Sequence, residues 1–385
     1  MIKVLSIFGT RPEAIKMAPL VKALEADDNF EASVCVTAQH RDMLDQVLDI
    51  FNIKPEYDLD IMKNRQTLTD ITVNALTGLE KVIREAGPDI ILVHGDTTTT
   101  FVGSLAAFYN KVQVGHVEAG LRTFNKYFPF PEELNRKLTG AIADIHFAPT
   151  DNSRENLLRE GVNKENIYVT GNTAIDAMKT TVKKDFKFYT EELKHIDYAG
   201  KRIIMVTAHR RENLGQPLKN ICNSLKYIAN KYDDVEVIYA VHKNPAVREI
   251  AFDILEGIGN VHLLDPIDVD EMHNLMDRSY IILTDSGGIQ EEAPSLGKPV
   301  LVLRRETERP EAIQYGTLKL AGTEESDITE LAERLLTDRT EYLKMANAVN
   351  PYGDGNASDR IIRGLLHHFN VIKDRPEDFK PQKNI

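Results

Sequence analysis

The feature that most constrains this chain is a repeated alternation of short apolar runs with amphipathic stretches. Apolar runs at 3–8, 32–37, 89–94, 113–117, 145–148 and 167–170 have the length of buried strands. Between them, 14–26, 41–51, 67–86, 98–110, 134–143 and 152–160 carry apolar residues at helical spacing. Strands separated by helices pair in parallel through right-handed crossovers, which predicts a doubly wound sheet. The pattern breaks at 181–202, a stretch rich in Lys, Asp and Glu. It resumes with strands at 203–207, 235–241, 261–264, 280–284 and 300–303. The helices of this half fall at 217–231, 245–255, 272–278, 327–336 and 358–369. The expected fold is α/β: two Rossmann-like doubly wound parallel-sheet domains, 1–180 and 203–369, facing a cleft and joined by a connector at 181–202. The last helix is placed to pack back on the first domain. Residues 370–385 read as a loose polar tail.

A chain of 385 residues with 42% hydrophobic content has material for two cores. Its 47 Lys and Arg against 59 Asp and Glu give a net charge of −12. That balance argues against a general nucleic-acid binder, which needs a basic face for phosphates. A local basic cluster still permits a small anionic ligand. Cys35 and Cys222 lie far apart and imply neither a disulfide framework nor a metal site, so a cytoplasmic location is expected. No run reaches membrane-span length, and the N-terminal apolar run is too short for a signal peptide.

Ligands of open α/β sheets bind at the carboxyl ends of strands, so the loops after strands carry the information. Gly9-Thr10-Arg11-Pro12-Glu13 follows the first strand, with Pro12 suited to a helix start and Arg11 and Lys16 near that helix N-terminus. An anion site and a capped turn with two solvated cations account for it equally. Asp96 follows the 89–94 strand and taken alone reads as a helix cap. Glu118 follows the next strand at a similar level, and Glu132 opens a helix after two prolines. Three carboxylates at one sheet edge are expected to repel one another, raising some of their pKa values and suiting proton transfer. His209, followed by Arg210 and Arg211, comes directly after a buried strand, which favours a ligand-facing histidine over a core one. His242 repeats the theme one strand later. In Asp285-Ser286-Gly287-Gly288-Ile289-Gln290-Glu291-Glu292 the glycines free consecutive backbone N–H groups for a diphosphate. Glu292 is placed to accept from ribose hydroxyls, and Arg309 supplies a nearby cation. Neither a dinucleotide fingerprint nor a P-loop occurs.

These motifs together resemble the bacterial non-hydrolysing UDP-N-acetylglucosamine 2-epimerases, from Met1 to about Phe369 and in the expected order. The resemblance implies a GT-B fold with the active site in the interdomain cleft, and interconversion of UDP-N-acetylglucosamine and UDP-N-acetylmannosamine. It also implies no cofactor and no metal, a homodimer, and a product destined for surface polysaccharide. Asp96, Glu118, Glu132 and His209 match the family's catalytic positions. Arg11, Lys16, Arg210, His242, Ser286, Gly287, Gly288, Glu292 and Arg309 match substrate and UDP contacts. Gln39, His40, Arg65, Gln66, Arg210 and His242 match a second UDP-N-acetylglucosamine site that activates relatives. The chain departs from the family at Asp42, at Phe128 and at Arg304-Arg305-Glu306. A glycosyltransferase, a hydrolysing epimerase and a nucleotide-sugar sensor are the competing readings.

Overall fold

The computed structural model describes residues 1–38, 41–63 and 66–382, with the side chains of Asp42 and Met43 outside the described set. The chain divides into two compact units. Unit 1 is Met1–Thr180 with Tyr352–Lys380, and unit 2 is Thr181–Pro351 with Pro381–Ile385.

Unit 1 runs β1 (Ile2–Phe8), α1 (Arg11–Glu25), β2 (Phe30–Val36), α2 (Arg41–Ile50), β3 (Tyr57–Asp58), α3 (Leu68–Ala86), β4 (Ile90–His94) and α4 (Thr98–Tyr109). It continues with β5 (Gln113–Val117), α5 (Glu132–Ile142), β6 (Ile145–Ala148), α6 (Asp151–Arg159), β7 (Ile167–Val169) and α7 (Thr173–Thr181). Among the described residues its sheet is seven-stranded and parallel, in the order β3-β2-β1-β4-β5-β6-β7. β4 is buried along its whole length, as expected of a strand covered on both faces. Leu5, Ile7, Ile91 and Val93 pack with Ala75, Leu79 and Ile83 of α3 and Val102 and Ala106 of α4. Each such large side chain contributes about 1.5–3 kcal/mol when removed from water.

Unit 2 contains α8 (Glu191–Lys194), β8 (Arg202–Thr207), α9 (Gln216–Lys231), β9 (Val235–Ala240), α10 (Pro245–Leu255), β10 (Val261–Leu264) and α11 (Val269–Arg278). β11 (Ile281–Thr284), α12 (Gly287–Glu292), β12 (Val300–Val302), α13 (Pro310–Tyr315), β13 (Leu318–Leu320), α14 (Glu325–Thr337) and α15 (Arg339–Ala346) follow. Its parallel sheet has the order β10-β9-β8-β11-β12-β13. The core is built from Ile204, Val206, Val237, Tyr239 and Leu283 against Ile221, Leu225 and Ile228 of α9. Both sheets agree with the doubly wound architecture expected.

Two expectations need correction. Residues 181–202, read as a connector, are tied into unit 2 by the buried carboxylate of Glu271. It accepts from Tyr189 N (2.7 Å), Thr190 N (2.8 Å) and Thr190 Oγ1 (2.5 Å). Up to Lys380 the tail belongs to unit 1 and is anchored there rather than loose. Phe379 N donates to Val169 O (2.7 Å), Asp378 accepts from Val169 N (3.0 Å), and Phe379 is only 3% exposed. The last helix, α16 (Ala357–His368), belongs to unit 1 and packs against α1. Its first N–H groups, on Ala357 and Ser358, donate to Asp176 of α7 (3.1 and 2.7 Å). That fixes a carboxylate at the positive end of the helix.

Candidate functional site

In unit 1 the loops after β1, β4 and β5 leave adjacent strands of one parallel sheet and emerge at its carboxyl edge. Glu13 joins two of them. Its Oε2 accepts from Gly9 N (3.0 Å) and Thr10 N (2.8 Å), and its Oε1 from Thr97 Oγ1 (2.6 Å) and Thr100 Oγ1 (3.1 Å). The reciprocal bonds between Thr10 and Glu13 form a capping box, which starts α1 with Pro12 in its first turn. Arg11 and Lys16 are thereby placed in the first turns of α1 and are half-buried.

Glu118 leaves β5 with φ +60°, a left-handed conformation that costs a non-glycine residue roughly 1–2 kcal/mol. That turn puts its carboxylate against three groups. Lys16 Nζ lies 2.5 Å from Oε2, Asn172 Nδ2 donates to the same oxygen at 2.9 Å, and His94 Nε2 is 3.5 Å away. Burial alone would raise the Glu118 pKa, but the Lys16 ammonium and His94 hold it well below the usual carboxylate range. The expected upward shift through carboxylate repulsion is therefore wrong for Glu118. Its nearest charge is a cation, and Coulomb attraction over 2.5 Å dominates.

Asp96 follows β4 but does not cap α4; Thr97 does, accepting from Thr100 N. The Asp96 carboxylate instead meets Arg136 Nη2 at 2.5 Å, and its carbonyl accepts from Asn135 Nδ2 at 3.0 Å. Both partners come from α5. Glu132 is the first residue of α5, half-buried, and is preceded by cis Phe128–Pro129 and Phe130–Pro131 bonds. Glu133 beside it is buried and accepts from Thr123 N and Phe124 N, which fixes the loop entering α5. Phe128, one of the departures, is 55% exposed.

In unit 2 the loop after β8 is held by Asp285 at the end of β11. Its Oδ2 accepts from His209 N (2.7 Å), Arg210 N (2.8 Å) and Asn213 Nδ2 (2.9 Å). The His209 ring stacks on His242, with centroids 5.2 Å apart and planes 13° from parallel. Burial lowers the His209 pKa; Asp285 opposes this, and His242 and Arg210 reinforce it. Ser286, Gly287 and Gly288 then lead into α12, a helix of only 6 residues, so its dipole is short. A Cβ on Gly287 would meet Arg309 Nη2 at 3.4 Å, and one on Gly288 would meet Glu292 Oε1 at 3.5 Å. Both are ordinary van der Waals distances, so the two glycines stand between a guanidinium and a carboxylate with room to spare. Arg309 is oriented by Glu291 (2.5 Å). Glu292 lies 3.7 Å from His273 Nε2, whose Nδ1 bonds Thr181 Oγ1 at 2.6 Å.

The residues named from the sequence thus fall into two sets, Lys16 with Glu118 and Asp96 in unit 1, and His209, His242 and the glycine loop with Arg309 and Glu292 in unit 2. Gln66 closes its own loop, donating to Ile61 O (2.6 Å) and accepting from Lys63 N (2.9 Å). Gln39, His40 and Arg65 lie outside the described residues, as does the Asp42 side chain. Arg304 is buried and pairs with Glu212 (3.0 Å) and Glu308 (2.8 Å), while Arg305 and Glu306 are exposed. Sequence reasoning assigned nothing to Glu13, Asn172, Arg136, His273 or the Asp285 carboxylate. All of them act by holding other residues. Only Asp285 gave a signal, as the polar residue directly preceding the Ser-Gly-Gly turn.

The family model described as UDP-N-acetylglucosamine 2-epimerase matches residues 22–366. The UDP-N-acetylglucosamine 2-epimerase of Bacillus subtilis is 58% identical over 379 residues, 98% of each chain. A crystal structure of UDP-GlcNAc 2-epimerase from Neisseria meningitidis bound to UDP-GlcNAc superposes with a TM-score of 0.86. It is 51% identical and covers 95% of this chain and 100% of that one. The S. aureus MnaA–UDP co-structure gives a TM-score of 0.88 at 53% identity, covering 99% and 100%. Matches of this extent reach the loops after β1, β4, β5, β8 and β11 as well as the sheets, and the chain belongs to the UDP-N-acetylglucosamine 2-epimerase family.

Proposed function

We propose that this enzyme interconverts UDP-N-acetylglucosamine and UDP-N-acetylmannosamine by eliminating UDP across C1–C2 and adding it back. The hydrogen at C2 is not beside a carbonyl, so direct deprotonation to a carbanion is implausible. Elimination avoids the carbanion. A base takes the C2 proton, that electron pair forms C1=C2 of 2-acetamidoglucal, and the C1–O bond breaks to release UDP. Protonation of C2 from the opposite face, with UDP oxygen returning to C1, gives the epimer. The scheme needs proton carriers on both faces and cations for the diphosphate.

The observation that carries this reading is the pair of carboxylates in the loops that leave two neighbouring strands. His94 and Val117 are opposite one another in the β4–β5 register, so Glu118 follows its strand by one residue and Asp96 by two at the same edge of the sheet. Each is oriented by a cation from elsewhere in unit 1, Arg136 for Asp96 and Lys16 for Glu118. A pure binding protein has no need of that arrangement. Asp96, Glu118 and Glu132 serve as the proton carriers. His209 supports the leaving diphosphate or shuttles a proton. Arg11, Lys16, Arg210, His242, Ser286, Gly287, Gly288 and Arg309 hold UDP, and Glu292 holds the ribose. The product supplies N-acetylmannosamine units for surface polysaccharide, and the enzyme works in the cytoplasm as a homodimer. No helix among the described residues is long and apolar enough to cross a membrane. UDP-N-acetylglucosamine also activates the enzyme from a second site that includes Arg210 and His242.

The mechanism is tested with substrate carrying 18O between C1 and the β-phosphorus. Elimination predicts that the label scrambles into non-bridging positions during turnover. Label held in the bridge while C2 epimerises would overturn it.

A further inference from the structure

We propose that Asp285 is a positioning residue for His209: its buried carboxylate selects the tautomer with the proton on Nδ1 and leaves the Nε2 lone pair for the substrate. This rests on His209 acting in the reaction. Asp285 is fully buried, and its two oxygens differ. Oδ2 takes three N–H donors, from the His209 and Arg210 backbone and the Asn213 side chain. Oδ1 is buried without a hydrogen-bond partner and lies 3.5 Å from His209 Nδ1. An ionised carboxylate can only accept, and a buried acceptor left without a donor costs about 1–3 kcal/mol. With Nδ1 protonated, a small ring movement supplies the missing donor. The other tautomer would set a ring lone pair against a carboxylate lone pair.

The rest of the surroundings hold the ring for this contact. His242 stacks on its face, so the ring slides within its plane more easily than it tips. The charged and titratable groups around it are Asp285 on β11, His242 after β9, Arg210 in its own loop, and Tyr239 of β9 behind Asp285. Tyr239 is committed elsewhere, donating to Ala208 O at 2.7 Å. The His209 pKa lies below its ordinary value, so the ring is neutral near pH 7 and its tautomer decides which nitrogen can take a proton. Asp285 also leads directly into Ser286, so one carboxylate sets the histidine relative to the glycine loop.

The test is Asp285→Asn in the full chain. The amide oxygen can keep the three N–H donors, while its NH2 can only donate toward the ring, which forces the Nε2–H tautomer. 15N NMR of histidine-labelled protein, with His209 identified by difference from His209→Asn, reads this directly. The wild type is expected to show Nδ1–H and the variant Nε2–H. Turnover should fall about tenfold to a hundredfold with KM changed far less, because orientation of a proton carrier is lost and binding is not. The acid limb of the pH profile should move to lower pH, since Asp285 is the group that raises the His209 pKa. Nε2–H in the wild type overturns the proposal, even if the variant does not fold. So does a variant whose tautomer and pH limb match the wild type, whatever its kcat. Full turnover in His209→Asn would remove His209 from the reaction, and the tautomer measurement would still decide whether Asp285 sets the ring.

Discussion

Glu118 shows how much a single residue here depends on its neighbours. Its left-handed backbone and its bonds to Lys16 and Asn172 fix one carboxylate at the end of β5. Glu118→Gln and Asp96→Asn keep shape and remove a proton acceptor. Each is expected to lower epimerisation about a hundredfold to ten-thousandfold, while UDP affinity by calorimetry changes only a few-fold. Near-wild-type turnover in either would exclude that residue as a proton carrier. Lys16→Gln removes the cation that depresses the Glu118 pKa, so the Glu118 carboxyl should titrate at higher pH in 13C NMR of glutamate-labelled protein, with its signal identified by difference from Glu118→Gln. An unmoved titration would mean that another group holds it down. Asp96 and Glu118 stand out in the sequence as polar residues just after buried strands, and Glu132 as an acidic residue opening a helix after two prolines. Glu13, Asn172 and Arg136 do not, because their partners lie 84, 54 and 40 positions away and only folding brings them together.

At the scale of elements, long periodic segments and short buried strands such as β7 and β12 were readable, and several other short elements were not. β4 is a continuous apolar run and α3 a 19-residue amphipathic helix, and both were located closely. β3 has 2 residues, β13 has 3 and α12 has 6, too few turns for periodicity to register. Segments 181–202 and 370–380 looked loose because their side chains are polar. What anchors them is buried carboxylates and backbone N–H groups, such as Glu271 with Thr190 and Asp378 with Val169. The β1–α1 turn gives a test at this scale. A Cβ on Gly9 would lie 2.0 Å from Thr37 Oγ1 and 2.6 Å from Thr99 Oγ1, two hydroxyls that hydrogen-bond each other at 2.9 Å. Gly9→Ala is therefore expected to destabilise unit 1 by about 1–3 kcal/mol in denaturant unfolding. Unchanged stability would show that the turn has room to relax. Gly259, where nothing lies within 4 Å of the added carbon and φ is not positive, is the control for crowding.

For the whole molecule, buried histidines set the acid limit. Burial pushes His116 down to about 3 and His146 down to about 4, so both are neutral in the folded protein over the working range. The unfolded chain binds their protons near pH 6.5, which makes ν_U exceed ν_N below that pH. Stability is thus full above about 6.5 and is lost as pH falls toward 3–4. Two such groups predict a loss of about 2–3 kcal/mol between pH 7.5 and 5.5 in denaturant unfolding, with the slope reduced in His146→Gln. A flat profile over that range would contradict the burial of both rings. At this same scale the doubly wound sheets and the family were legible in the sequence. That Arg136 pairs with Asp96 and Lys16 with Glu118 was not. The central claim is epimerisation at C2 without loss of the nucleotide, and one measurement bears on it directly. The enzyme is incubated with UDP-N-acetylglucosamine in D2O and the sugar protons are followed by NMR. The expected result is deuterium at C2 in both UDP-linked epimers, with no free sugar. Protium retained at C2 while the epimer forms, or release of free N-acetylmannosamine, would contradict it.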